Sequence, residues 1–427
     1  MTGLLDALLA LIAVSVVNVV VIYSIRARTH PSDSGFLARV YLWTVLLRWT
    51  LAVMLNIFVG NSAFAAAFWG DSGSYDIGGY QLSLKWAGEP ITTAYMSTAV
   101  SGYGWVYFVG AVYYLFGRNQ LLVQLLNGVM GGLTVLVIYA IAARLFDRSS
   151  ARWAALFMAF FPQMVFWSTG MYKDPAILLC IAVAMYAVVR LRDSLSMPMI
   201  GLFVAAQVVL ITLRFYIAYF VLFAALATFV FGQRRGAVRM VFTYALLGAL
   251  LFGALNVAVK RETLEQQASY LTLERLQVTR EDQAMWGRSG FGQEHDVSTP
   301  AGALATLPVG ILYLLFAPFP WAVSGIRQAL VVPETLVWYA LMPAFVRGLA
   351  FGLKRQFRAI LPIAVFAVSL TLAYALMQGN IGTAYRQRTQ VTMFFFIFMA
   401  AGIVEKRRQR SVSVAPAVIP AALPRQP

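Results

Sequence analysis

The sequence is poor in the groups that most soluble enzymes use for chemistry. Its 427 residues include one cysteine, two histidines and 17 acids. Cys180 lies inside an apolar run, so no disulfide can form within one chain and the redox compartment is not legible. His30 and His295 are far apart and show no metal-ligand spacing; His295 reads as a solvated loop residue. There is no P-loop, no G-x-S-x-G and no Cys/His cluster. Internal repeats, the usual mark of an inverted-repeat transporter, are also missing.

Apolar residues are plentiful: 60% of the chain, with a mean hydropathy of +0.74. Soluble domains sit well below that fraction. Many runs reach the length needed to cross a bilayer, roughly 20 residues. The sequence therefore predicts an all-α polytopic membrane protein. The net charge of +16 resembles that of a nucleic-acid binder only superficially. The basic residues fall between apolar runs, where the positive-inside rule places them.

Leu4–Tyr23 has no basic head and no small-residue cleavage site before Arg26, so it reads as a retained helix. Arg26, Arg28 and Arg39 follow it, which puts the N-terminus outside and the first loop in the cytoplasm. The second span, Tyr41–Phe68, delivers Trp69–Trp86 to the outer face. Tyr103–Phe116 is apolar enough to cross, but a crossing would put Arg144, Arg148 and Arg152 outside. Its aromatics suit the headgroup level, so it is expected to lie flat on the outer interface. Leu307–Val323, broken by three prolines, is expected to be re-entrant or interfacial for the same reason. The remaining segments, including Met240–Val259, alternate regularly. That gives about eleven spans with outer-face elements at residues 69–119 and 260–303. Residues 1–411 form one domain, and 412–427 read as a disordered cytoplasmic tail.

The unusual polar residues collect at the outer level. Ionisable groups beside apolar spans are costly and tend to face cavities. Asp71 can be a helix cap or a general base that takes a proton from an acceptor hydroxyl. Asp76 can be a surface group, a second catalytic carboxylate or, with Asp71, a ligand to Mg or Mn. Lys173 presents a cation where a lipid phosphate would sit, beside Asp174 at a helix start before Pro175. Arg214 interrupts a helical hairpin. Arg386 and Arg388 are alternate residues; in an extended segment they would face one way and grip one phosphate.

The order of these features resembles the GT-C superfamily of membrane glycosyltransferases, especially its protein O-mannosyltransferase and aminoarabinose-transferase-like branches. The resemblance rests on Asp71 and Tyr75 as a D-x-x-x-Y pattern and on the amphipathic helix and YYLFG that follow. It also rests on Phe161–Pro162, on the acidic turn at Asp174 and on the terminal YRQR, Tyr385–Arg388. About 120 residues carry it. It implies a GT-C-like bundle and the inverting transfer of a sugar from a polyprenyl-phosphate donor to a glycan, lipid or protein acceptor. Transfer would occur at the extracytoplasmic face of the plasma (inner) membrane. Asp71 would be the base, with Asp76 as a second catalytic carboxylate. Lys173, Arg214, Arg386 and Arg388 would hold the donor phosphate, with Asp174, Tyr75 and Tyr385 supporting them. The 260–300 loop would close over the acceptor. Two other readings stay open: a polymerase or ligase using a polyprenyl-pyrophosphate glycan, which shares the arginines but would make a long outer loop central, and a lipid-linked-glycan transporter, which expects charges near the bilayer midplane and inverted repeats.

Overall fold

The computed structural model describes residues 2–58, 71–91, 101–194, 196–232, 248, 253, 261–270, 272–286, 290–292, 294, 296–323 and 325–414. The expected span Met240–Val259, the outer end of the second span, His295 and residues 415–427 fall wholly or mostly outside them. Fifteen helices are described. Helices α1 (Thr2–Arg28) and α2 (Pro31–Phe58) lead to α3 (Ser72–Trp86), α4 (Tyr103–Phe116) and α5 (Gln120–Leu145). Then come α6 (Arg148–Phe160), the short α7 (Pro162–Phe166), α8 (Asp174–Asp193) and α9 (Met197–Gly232). The outer segment contributes α10 (Arg261–Ser269) and α11 (Leu273–Trp286). Last are α12 (Pro300–Phe316), α13 (Ile326–Met377), α14 (Ile381–Gln387) and α15 (Thr389–Val414). The final helix runs to Val414, so the first three residues of the expected tail are helical.

Seven of the described helices are long and apolar enough to cross a membrane. Two of these are hairpins. Arg214 leaves helical geometry in α9 (φ −159°, ψ 84°), and Gln207 Nε2 then donates to Ala218 O at 3.0 Å. Eleven residues of straight helix would hold those groups about 16 Å apart. In α13 the break is at Gln356 (φ −142°, ψ 31°). A Cβ on Gly352 would lie 3.2 Å from Ile360 Cδ1, a contact that a straight helix forbids.

Local chemistry sets the other boundaries. Asn119, Asp147, Thr299 and Asn380 each cap the helix that follows, accepting from the N–H of Leu122, Ser150, Gly302 and Thr383. Pro162 lacks an N–H and forces Phe161 into extended geometry, so α6 stops there. The fully buried Arg48 guanidinium takes up the freed end, donating to Ala159 O at 2.8 Å. An unpaired carbonyl in lipid would be costly.

The arginine-rich ends meet on one face. Arg144 pairs with Asp193, Arg152 with Asp33 and Arg408 with Asp147, each at 2.9 Å, and Arg192 donates to Arg358 O. On the opposite face Asn119 Nδ2 donates to Asp6 O near the start of α1. Helix α4 has both ends there. Gly102 N donates to Thr212 O beside the Arg214 turn, and Arg118, just past the C-terminus, pairs with Asp76. Its 14 residues, about 21 Å long, lie along that face, as the charge pattern requires. Helix α12 also stays at that level: a Cβ on Gly310 would strike Ala375 O, and Leu315 O and Ala317 O accept from Arg388.

Candidate active site

Arg386 is the hub of the second face. Its Nε and Nη2 donate to Asp174 Oδ2 at 2.9 and 2.6 Å, and its Nη1 donates to Asp71 Oδ2 at 2.8 Å. The rings of Tyr172 and Trp167 lie 4.6 and 5.1 Å from its Cζ. Asp174 is fully buried, while the Asp71 side chain is 59% exposed. Asp71 occupies the N-cap position of α3 but makes no side-chain cap bond. Its carboxylate turns to Arg386 instead, so capping does not account for it.

The turn before α8 is fixed from behind. Asn127 Nδ2 donates to Gly170 O and Tyr172 O at 2.7 and 2.9 Å, and Trp105 Nε1 donates to Met171 O at 2.9 Å. Helix α8 begins at Asp174 itself, with Lys173 in the cap position. Lys173 Nζ lies 5.9 Å from the Tyr75 ring centroid. It also lies against Gly102: a Cβ there would be 2.6 Å from Nζ, and φ is +90°, so only glycine fits. Burial pulls the Lys173 ammonium down to about 7, with Arg214 and Arg386 adding repulsion and Asp174 and Asp71 opposing them. Buried Arg214 places Nη2 3.9 Å from Asp174 Oδ1.

Three buried polar atoms here have no hydrogen-bond partner: the donors Arg214 Nη1 and Trp167 Nε1, and the acceptor Asp174 Oδ1. Unpaired buried donors are costly. Three cations and spare donors around two carboxylates make a site that an added anion would satisfy.

Two other residues fall elsewhere. Asp76 accepts from Tyr113 Oη at 2.7 Å and from Arg118 Nη2 and Nε at 2.5 and 3.3 Å. Arg388 is buried; it donates to Ala317 O, Leu315 O and Gln163 Oε1, with Glu334 at 3.9 Å. Tyr385 Oη donates to the same Glu334 at 2.9 Å. Residues 381–387 are helical rather than extended because Asn380 caps them. Arg386 and Arg388 are therefore turned to different partners and do not converge on one spot. Sequence reasoning missed Trp167, Tyr172, Arg118, Tyr113 and Glu334. The aromatics of FWSTGMYKDP flanking Lys173 were the available signal.

Asp71 and Asp76 do not fit a shared Mg or Mn ion as placed, since their oxygens accept from different arginines. Among the described residues no three His, Cys, Asp or Glu side chains come together.

A sequence model of the dolichyl-phosphate-mannose-protein mannosyltransferase family matches residues 103–258. No protein of curated function matches by sequence. Solved structures do match in fold. The oligosaccharyltransferase AglB of Archaeoglobus fulgidus, in complex with an inhibitory peptide and a dolichol-phosphate, superposes with a TM-score of 0.51 at 13% identity. The match covers 93% of this chain and 53% of that one. ArnT of Cupriavidus metallidurans, bound to undecaprenyl phosphate, gives 0.52 at 14% identity, covering 88% and 60%. The chain thus spans about half to three-fifths of the length of these structures. It has the GT-C membrane fold, and the family pattern of the mannosyltransferases runs through its residues 103–258.

Proposed function

We propose that the chain is an integral-membrane glycosyltransferase that moves a sugar from a polyprenyl-phosphate donor to a hydroxyl-bearing acceptor. The observation that carries this reading is the single guanidinium of Arg386 joined to Asp71 and Asp174, with Lys173 and Arg214 beside it. Groups from four separate stretches of chain gather here: Arg386 and Arg214 at the buried Asp174, Lys173 beside it in sequence, and Asp71 on Arg386. The likeness to structures that hold polyprenyl phosphates supports the donor class.

The chemistry follows from the charges. Asp71 accepts the acceptor hydroxyl's proton as that oxygen attacks the anomeric carbon. The bond from that carbon to the phosphate oxygen breaks, and the lipid phosphate leaves with the electron pair. Arg386, Arg214 and protonated Lys173 stabilise the charge that develops on it. Asp174 holds Arg386 by two bonds, so the guanidinium keeps its place when Nη1 exchanges Asp71 for the phosphate. That exchange frees Asp71 as the donor arrives. The arginine-rich opposite face supports placing this site on the extracytoplasmic side of an inner membrane.

Arg386→Lys tests the donor site. It keeps the charge beside Asp174 but loses the fork. Binding of a polyprenyl-phosphate sugar, measured in nanodiscs, should weaken by about 10–100-fold. Unchanged affinity would remove Arg386 from the donor site.

A further inference from the structure

A charged cavity lies at the other end of the molecule from Arg386. It has a volume of about 470 Å³ and sits between the start of α6 and the end of α15. Ser149, Arg152, Arg407 and Arg408 form its rim, with Trp153, Leu156 and Val404 lining the rest. None of the chemistry proposed above uses these residues.

The rim is held in place. Arg408 Nη2 pairs with Asp147 Oδ2 at 2.9 Å, at the cap of α6. Arg152 Nη2 pairs with Asp33 Oδ1 at 2.9 Å and donates to Ser32 O at 3.0 Å. Arg407 stacks its guanidinium over the Trp153 ring at 5.1 Å. Arg148 shares Asp33, at 3.3 Å. Four arginines thus answer two carboxylates, and the corner keeps surplus positive charge. The Glu405 carboxylate on the same helix end accepts from Gln409. Arg152 Nε is buried and has no hydrogen-bond partner.

Depth along the helices orders the lining. Helix α6 enters the bilayer from this face, so Leu156 lies about one turn deeper than Arg152. Helix α15 arrives at this face, so Val404 lies about one turn deeper than Arg408. The cavity is cationic at the headgroup level and apolar beneath it, with an indole at the boundary. Basic pockets between membrane helices on the positive side fit anionic headgroups. A small soluble anion would use only the rim, whereas an amphiphile uses rim and floor together.

We propose that this cavity is a binding site for one anionic phospholipid of the arginine-rich leaflet. Its phosphate sits among Arg152, Arg407 and Arg408, and its glycerol and upper acyl chain lie on Trp153, Leu156 and Val404.

The test uses the purified full chain in detergent. Native mass spectrometry counts retained lipid, and thermal unfolding is followed with phosphatidylglycerol, phosphatidylcholine or inorganic phosphate added. Phosphatidylglycerol should leave one retained molecule, bound roughly tenfold or more tighter than phosphatidylcholine. It should also raise the unfolding midpoint by mass action. Arg407→Gln with Arg408→Gln should lose both effects, and Arg386→Lys on the opposite face should keep them. If the double variant fails to fold, Arg407→Gln alone carries the test, because Arg407 stacks on Trp153 and its loss strips no carboxylate. Equal retention of phosphatidylcholine, or an undiminished effect in the arginine variants, overturns the proposal. So does an equal midpoint shift with inorganic phosphate alone, which would mark a rim-only anion site. Loss of the effect in Arg386→Lys would assign the lipid to the other face and also overturns it.

Discussion

Lys173 ties the candidate site to pH. Its ammonium is held at about 7 by burial and by Arg214 and Arg386, against an unfolded value of about 10.4. Between those values the unfolded chain binds more protons, so the ligand-free protein should gain stability as pH rises from about 7. Donor binding should run the other way, because an incoming phosphate favours the charged amine. Affinity for a polyprenyl-phosphate sugar should therefore fall as pH rises through about 7, and Lys173→Met should flatten that dependence. A wild-type affinity constant from pH 6 to pH 9 would separate Lys173 from the phosphate. The ionisable residues of the site were legible in the sequence because charge beside apolar spans is costly. Their pairing was not. Arg386 stands 315 and 212 positions from its two carboxylates, and only the packed fold brings them together. Arg388 misled for a local reason: the Asn380 cap makes a helix where alternation had suggested an extended strand.

Helix placement was more legible than side-chain partners. Charge bias alone required α4 to lie flat and α12 to stay near one face. Phe161–Pro162 marked the end of α6, but nothing in the sequence announced that Arg48 would meet the freed carbonyls. The α13–α15 seam was also unreadable, because it depends on backbones touching. A Cβ on Gly348 would lie 1.8 Å from Phe398 O, and one on Gly402 would lie 2.0 Å from Ala344 O. Small residues permit such approaches between membrane helices. Gly348→Ala should destabilise the protein by about 1–3 kcal/mol through overpacking, measured by unfolding in detergent. Gly35→Ala in α2, where nothing lies within 4 Å, should be neutral or slightly stabilising. Equal effects at both glycines would mean that the seam is looser than this packing requires.

The whole molecule has two chemically distinct ends, the Arg386 cluster at one and the arginine-rich helix ends at the other. In a Cys180→Ser background, cysteines at Lys85 and Glu274 should react with an impermeant thiol reagent from one side. Cysteines at Lys354 and Gln409 should react only from the other. Labelling of Lys354→Cys together with Lys85→Cys would contradict the placement of α4 and α12 at one face. The central claim is that Asp71 is the proton acceptor for sugar transfer, and one measurement reaches it directly. Asp71→Asn keeps the shape of the side chain, and no cap bond is lost because none is made. Sugar released from a polyprenyl-phosphate donor in membranes bearing this variant should fall about 10²–10⁴-fold. Donor affinity, measured on the same membranes, should stay the same or tighten, because Arg386 Nη1 no longer faces a carboxylate. Near-normal transfer by Asp71→Asn would contradict the account.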